Sequence, residues 1–182
     1  MTYRDKLIAW NSTPKYKKEL DFLYKLIDPK RGQKILDYGC GIGTAMKHIH
    51  FISECKVFGF DITKDLYMWD DFWFRNEMYF KVDTIYFNHS IAHIQYPPLK
   101  KIKDEFLNEG GKVIVVTPNW EWMDKGYNND PTVVKHYDID TLSQLFIDAG
   151  YAIDQIGQFG EVRKDIHQHN RLSNERIFLV AK

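Results

Sequence analysis

The chain has 182 residues, 44% of them apolar and 15% aromatic, and its 25 Lys and Arg balance 25 Asp and Glu to a formal net charge of zero. That balance argues against a protein that grips nucleic acid through a basic surface, and two cysteines, Cys40 and Cys55, exclude a disulfide framework or a cysteine-rich metal centre. Charges occupy the first ten residues where a signal peptide needs an apolar run, and no stretch approaches the roughly 20 apolar residues of a membrane span, so a soluble cytoplasmic protein without a membrane partner is expected.

The length suits one domain, 1–182, with 1–32 as an N-terminal helical cap. Thr13-Pro14 announces a helix, a cap residue followed by proline at the first helical position. Tyr16, Leu20, Leu23 and Ile27 fall on one face of it, and Asp28-Pro29 and Gly32 end it. From there strand, turn and helix repeat. "KILDY" (34–38) is a strand and "TAMKHIHFI" (44–52) a helix. "KVFGFD" (56–61) is a second strand, with "KDLYMWDDFWF" (64–74) read as helical after it. "DTIYFN" (83–88) is a buried strand. "PLKKIKDEFLNEGG" (98–111) reads as a helix with Leu99, Ile102 and Phe106 inward and a Gly-Gly stop. "KVIVVT" (112–117) is the strongest strand, and 138–150 is a helix capped by Asp140 and ended by Gly150. Two closing strands, 151–159 and 176–182, have no helix between them and should pair as an antiparallel hairpin.

Apolar strands alternating with amphipathic helices imply a doubly wound α/β fold, Rossmann-like and mostly parallel, with the hairpin at its C-terminal end. One segment is short. Between Asp61 and Asp83 there is room for one crossover of about a dozen residues and little more. A strand or a helix is therefore expected to be missing or vestigial between the second and fourth strands, with "EMYFKV" (77–82) as its remnant.

The chemistry-bearing stretch is "ILDYGCGIGT". A strand ends at Asp37, and Gly39, Gly41 and Gly43 turn directly into a helix. Such a turn lets a ligand approach the backbone closely and offers it free amides at the helix N-terminus. Asp61, 24 residues after Asp37, ends the next strand, where an acid takes the hydroxyls of a ribose. A dinucleotide fingerprint needs G-x-G-x-x-G. Here the spacing is G-x-G-x-G and Thr44 stands in the third glycine's place, while Asp37 repels a pyrophosphate and suits an amino group. A nicotinamide-dependent oxidoreductase is disfavoured on both counts.

With these motifs the sequence resembles the class I S-adenosylmethionine-dependent methyltransferases. The similarity runs on through "VFGFDIT", "VDTIYFNHSIAHI", "LNEGGKVIVVTPN", "HYDIDTLSQLFIDAGY" and "RIFLVAK", and it is greatest to members acting on small molecules. The resemblance implies a seven-stranded sheet with its last strand antiparallel. It also implies S-adenosylmethionine as cofactor, its methionine end held by Asp37, Gly39 and Gly41, its ribose by Asp61 and its adenine packed on Ile62. Tyr38, Cys40 and Gly43 complete the turn, and Asn88 lies where the fourth strand opens toward the methyl group. The chain departs from the family in the short 61–83 segment, where members carry an acid on the adenine amino group and where only Asp70 or Asp71 could substitute. A methyltransferase-like partner subunit without activity is the competing reading, and a homodimer is one reading of the assembly.

Methyl transfer from a sulfonium is an in-line displacement helped chiefly by alignment, with no metal. An acceptor hydroxyl or amine gains a further roughly 10²–10⁴-fold from a general base, for which histidine is suited. His89, His93 and His136 are the candidates. Against a base role, His89 lines the pocket, His93 shapes its loop, and His136 is a capping or surface residue. Trp120, Trp122, Met123 and Tyr127 on the long loop 118–137 would wall a small-molecule acceptor or fill a hydrophobic contact. His167 and His169 alternate as metal ligands on a strand do, but with no third ligand they read as a solvated turn.

Overall fold

The computed structural model describes residues 2–63, 66, 73–75, 79–120, 130–159, 162–164, 170–172 and 176–182, with 73–75, 162–164 and 170–172 as backbone alone. A helix not anticipated from the sequence, α1 (Tyr3–Asn11), opens the chain. Thr2 and Asp5 form a reciprocal capping box at its start, and it buries none of its residues. Thr13 then caps α2 (Pro14–Ile27), which ends as Asp28 turns left-handed. The strands and helices follow in the expected alternation: β1 (Lys34–Tyr38), α3 (Thr44–Ser53), β2 (Lys56–Phe60), β3 (Trp73–Arg75), β4 (Val82–Asn88), α4 (Leu99–Lys101), β5 (Leu107–Pro118), α5 (Ile139–Asp148), β6 (Ile153–Phe159), β7 (Val162–Lys164), β8 (Asn170–Leu172) and β9 (Arg176–Ala181).

Seven strands form one sheet in the order β3-β2-β1-β4-β5-β9-β6. The pairs β3–β2, β2–β1, β1–β4 and β4–β5 are parallel. β9 runs antiparallel between β5 and β6, so the expected closing hairpin is present. β7 and β8 form a separate two-stranded ribbon, absent from the sequence reading. Strand order reverses at β1 and β4, and in a doubly wound sheet that opens a crevice at the carboxyl ends of those strands.

Each face of the sheet carries its own core. On one, Leu20, Leu23 and Ile27 of α2 join Met46 and Ile49 of α3 over Ile35, Tyr86 and Ile114. On the other, Leu99 and Ile102 join Leu142 and Phe146 of α5 beneath Ile85, Phe87 and Val115. Alternate residues of β4 and β5 thus feed opposite cores, as a strand covered on both faces requires.

The structure corrects three expectations. Between β2 and β4 the expected vestigial strand is present, but it precedes the proposed remnant 77–82, of which 77 and 78 lie outside the described residues. It is the three-residue β3 at 73–75, paired to β2 through Phe58–Trp73, Gly59–Phe74 and Phe60–Arg75. The end of the segment read as helical is therefore a strand, because an open sheet edge recruited it; the rest of 64–72, apart from Leu66, lies outside the described residues. The helix expected over 98–111 stops early: α4 passes into a π-helical turn, Ile102–Phe106, and β5 begins at Leu107. Its Gly-Gly lies in a bulge, where β4 passes from Val82 to Thr84 while β5 passes from Leu107 to Lys112. Finally, α5 is capped by Asp138 rather than Asp140, in a reciprocal box with Thr141.

The turn after β1 is packed too closely for side chains. Gly39 has φ +83°, and a Cβ there would fall 2.3 Å from Ser90 Cβ. Left-handed backbone costs a non-glycine residue about 1–2 kcal/mol even in open space. Gly39→Ala is expected to lose at least about 2 kcal/mol of stability, measured by urea unfolding.

Candidate active site

The crevice at β1 and β4 is built by the glycine turn. Gly39 N and Cys40 N both donate to Phe60 O at the end of β2, at 2.7 and 3.0 Å. Ser90 Oγ donates to Tyr38 O from the far side. Gly41 N donates to Asp61 Oδ2 at 2.8 Å, and Thr63 N to Asp61 Oδ1 at 2.8 Å. The turn is therefore held from β2 and from the segment after β4, and it delivers the chain into α3, whose N-cap, Gly43, supplies no side-chain cap. The first amides of α3 are thus not satisfied by an N-cap side chain.

Asp37, at the floor of this crevice, is 2% exposed. Burial pushes its carboxyl up to about 7, and the nearby Asp61 carboxylate pushes the same way against the Tyr86 hydroxyl and the Met46 amide. Asp37 Oδ1 and Asn88 Oδ1 are both buried without a hydrogen-bond partner. Buried polar atoms are normally paired. Two acceptors left open at one strand edge suit a ligand that brings N–H donors.

Tyr38 packs between Phe60 and Phe87, with ring centroids 4.8 and 5.0 Å away. Cys40 is buried and its thiol is pushed up by burial, which makes it a packing residue and a poor nucleophile. Ile62, in contrast, is 89% exposed just beyond Asp61, open to stack on a planar group.

The structure brings His89 into the crevice beside Asn88. Its backbone is left-handed, φ +64°, and its amide donates to Val116 O at 2.7 Å. His89 Nε2 is hydrogen-bonded to Glu19 Oε1, and Arg176 Nε donates to Glu19 Oε2 at 3.3 Å. Asn88 Nδ2 donates to Tyr16 Oη at 3.1 Å. Tyr16, Glu19 and Arg176 were not singled out from the sequence as site residues. The one available signal was Glu19 itself, an acid beside Leu20 and a turn from Tyr16 and Leu23 on the apolar face of α2.

The other two histidines lie apart from this network. His93 Nδ1 donates to Thr132 O at 3.0 Å and lies 3.0 Å from Thr132 Oγ1, which in turn donates to Asp130 at 2.6 Å. These are the contacts of a loop-shaping residue. His136 is exposed and stacks on Trp120, centroids 3.7 Å apart, above a small cavity bordered also by Thr117 and Tyr137. Trp122, Met123, Tyr127, Asp70, Asp71, His167 and His169 lie outside the described residues. Among the described residues no cluster of His, Cys, Asp or Glu could hold a metal ion, and no helix is long and apolar enough to cross a membrane.

The helix α1 crosses the mouth of the crevice. A Cβ on Gly41 would lie 3.7 Å from Leu7 Cδ1, and Asn11 Nδ2 donates to Thr44 Oγ1 at 2.8 Å. At its other end burial raises the Tyr3 hydroxyl, which bonds Thr132 and feels Asp130 and Asp61.

A methyltransferase domain model matches residues 10–156. No curated protein matches the sequence. Solved structures do match in fold. A SAM-dependent methyltransferase from Archaeoglobus fulgidus is 17% identical, with TM-score 0.73 over 91% of this chain and 93% of that one. A Haloferax volcanii putative methyltransferase, solved with the Trm112 activator, is 15% identical, with TM-score 0.69 over 100% and 97%. Geranyl diphosphate C-methyltransferase from Streptomyces coelicolor is 14% identical, with TM-score 0.68 over 92% and 80%.

The chain belongs to the methyltransferase domain family. Its sheet has the fold of solved methyltransferases that depend on S-adenosylmethionine, the Archaeoglobus fulgidus protein among them. The open acceptors of Asp37 and Asn88 fit that cofactor's ammonium, and the exposed Ile62 side chain fits its adenine. When bound, the cofactor supplies an electrophilic methyl group on a sulfonium.

The raised Asp37 carboxyl gives a signed test. The native state keeps this proton between about pH 4 and pH 7 while the unfolded chain has released it, so stability falls as pH rises through that window and stays lower above it. Asp37→Asn is expected to unfold at a higher temperature than the parent protein at pH 8, with little difference at pH 4. The same variant should bind S-adenosylhomocysteine more weakly at pH 8 by calorimetry.

Proposed function

We propose that the chain transfers the methyl group of S-adenosylmethionine to an oxygen or nitrogen of a small-molecule acceptor, with His89 as the base. The observation that carries this reading is the coincidence at one strand edge of unpaired acceptors at Asp37 and Asn88 with the mostly buried imidazole of His89.

In this reading Asp37 and Asn88 accept from the cofactor's ammonium, and the turn Tyr38, Gly39, Cys40, Gly41 and Gly43 lets its methionine end lie against the backbone. Asp61 keeps unused lone pairs after its bonds to Gly41 and Thr63, and these take the ribose hydroxyls. Ile62 covers one face of the adenine. Residues 1–32 cap this edge, and α1 keeps water from the reacting centre. Trp120 and His136 form an aromatic wall on the acceptor side. His93, engaged by Thr132, shapes the loop that carries it.

Two measurements test the assignment. Asp61→Ala is expected to weaken S-adenosylhomocysteine binding by roughly 1.5–3 kcal/mol in calorimetry, the worth of a hydrogen bond to a charged group. Unchanged affinity would remove Asp61 from the ribose site. A mass-spectrometric product screen with methyl-labelled S-adenosylmethionine should return a methylated hydroxyl or amine. Products methylated only at carbon would overturn the acceptor class.

A further inference from the structure

We propose that Glu19 is a positioning residue for methyl transfer, holding His89 so that its Nδ1 faces the acceptor, with Arg176 fixing Glu19 in turn. This rests on the reading of His89 as base.

The argument begins with the cost of the arrangement. Glu19 is 3% exposed and Arg176 2% exposed, and burying charges is expensive unless each is paired. The fold does pair them. One carboxylate oxygen takes His89 Nε2 and the other takes Arg176 Nε. Burial alone would raise the Glu19 carboxyl, yet His89 and Arg176 together outweigh it and the net direction is down. Bonded to the Arg176 guanidinium, Glu19 serves as an acceptor-only carboxylate. The proton in the His89–Glu19 bond therefore sits on Nε2, and in the neutral ring Nδ1 carries the lone pair. No hydrogen bond to His89 Nδ1 is present among the described residues.

A simple latch between α2 and the sheet would account for the ion pair, but not for the backbone of His89. Its φ of +64° is a conformation that non-glycine residues adopt at a cost and that clusters at functional sites. It follows directly on Asn88, whose Oδ1 is one of the unpaired acceptors. The strained backbone, the Val116 carbonyl and the Glu19 carboxylate together fix the ring. In the transfer, the proton of the acceptor O–H or N–H passes to His89 Nδ1. The lone pair of that oxygen or nitrogen forms the new bond to the methyl carbon, and the old carbon–sulfur bond leaves its pair on sulfur. The imidazolium charge so formed lies against the Glu19 carboxylate.

The test uses the full-length chain. Proton NMR should show a far-downfield ring N–H in the parent protein, lost in His89→Ala and moved upfield in Glu19→Gln. With the acceptor returned by the product screen, Glu19→Gln should lower kcat about 10- to 100-fold while KM for S-adenosylmethionine changes less than twofold. Glu19→Asp should recover part of the rate. A ring N–H identical in Glu19→Gln, or an unchanged kcat, overturns the proposal. So does a loss shared equally by kcat and KM. If His89→Ala lowers kcat and Glu19→Gln does not, only the Glu19 role fails. If His89→Ala itself leaves kcat unchanged, the base reading fails first.

Discussion

An acid buried at the end of β1 with one oxygen unpaired is the constraint on which this site depends. Asp37 is fully enclosed between strands and the first turn of α3, where ionisation is costly enough to push its carboxyl up to about 7. A fold optimised only for stability would have placed an apolar residue there or supplied a donor. In the function proposed above, that unpaired oxygen accepts from the arriving ammonium and part of the cost is recovered. The glycine turn serves the same end. Its backbone is held at Phe60 O and under Ser90, so the ligand meets a preformed surface.

The two helices at the N-terminus divide the remaining work. α2 is a structural element whose apolar face builds one of the two cores, and it also carries Tyr16 and Glu19 into the crevice. α1 has no buried residue and touches the turn through Leu7 and Asn11. One helix is thus fixed to the sheet and contributes polar groups to the site, while the other lies over its opening.

Much of this was legible before the structure. The mostly parallel sheet, the antiparallel end and the turn at Asp37–Thr44 follow from patterns local in the chain, while the count of seven strands came from the family resemblance. Apolar runs of strand length, caps such as Thr13-Pro14 and a glycine triplet between strand and helix each act locally. Errors arose where the sheet overrode local propensity. The segment ending at 73–75 pairs as an edge strand although its composition resembles an amphipathic helix. Likewise "LNEGG" bulges into β5 because Val82 offers Leu107 a partner before the glycines are reached.

The site divides in the same way. The sequence by itself determined that Asp37, the glycine turn, Asp61 and Asn88 would meet at one edge, since each ends a strand or begins a helix and the crossover rule aligns all parallel strand ends. It did not determine how deeply Asp37 is buried, or which histidine is held. Glu19 and His89 are 70 residues apart and Glu19 and Arg176 are 157 apart, so no periodicity or spacing links them. Only the packing of α2 across β4 and the antiparallel insertion of β9 next to β5 bring those three side chains together. Their pairing is decided there because a buried charge must find its partner through space, whatever the distance along the chain.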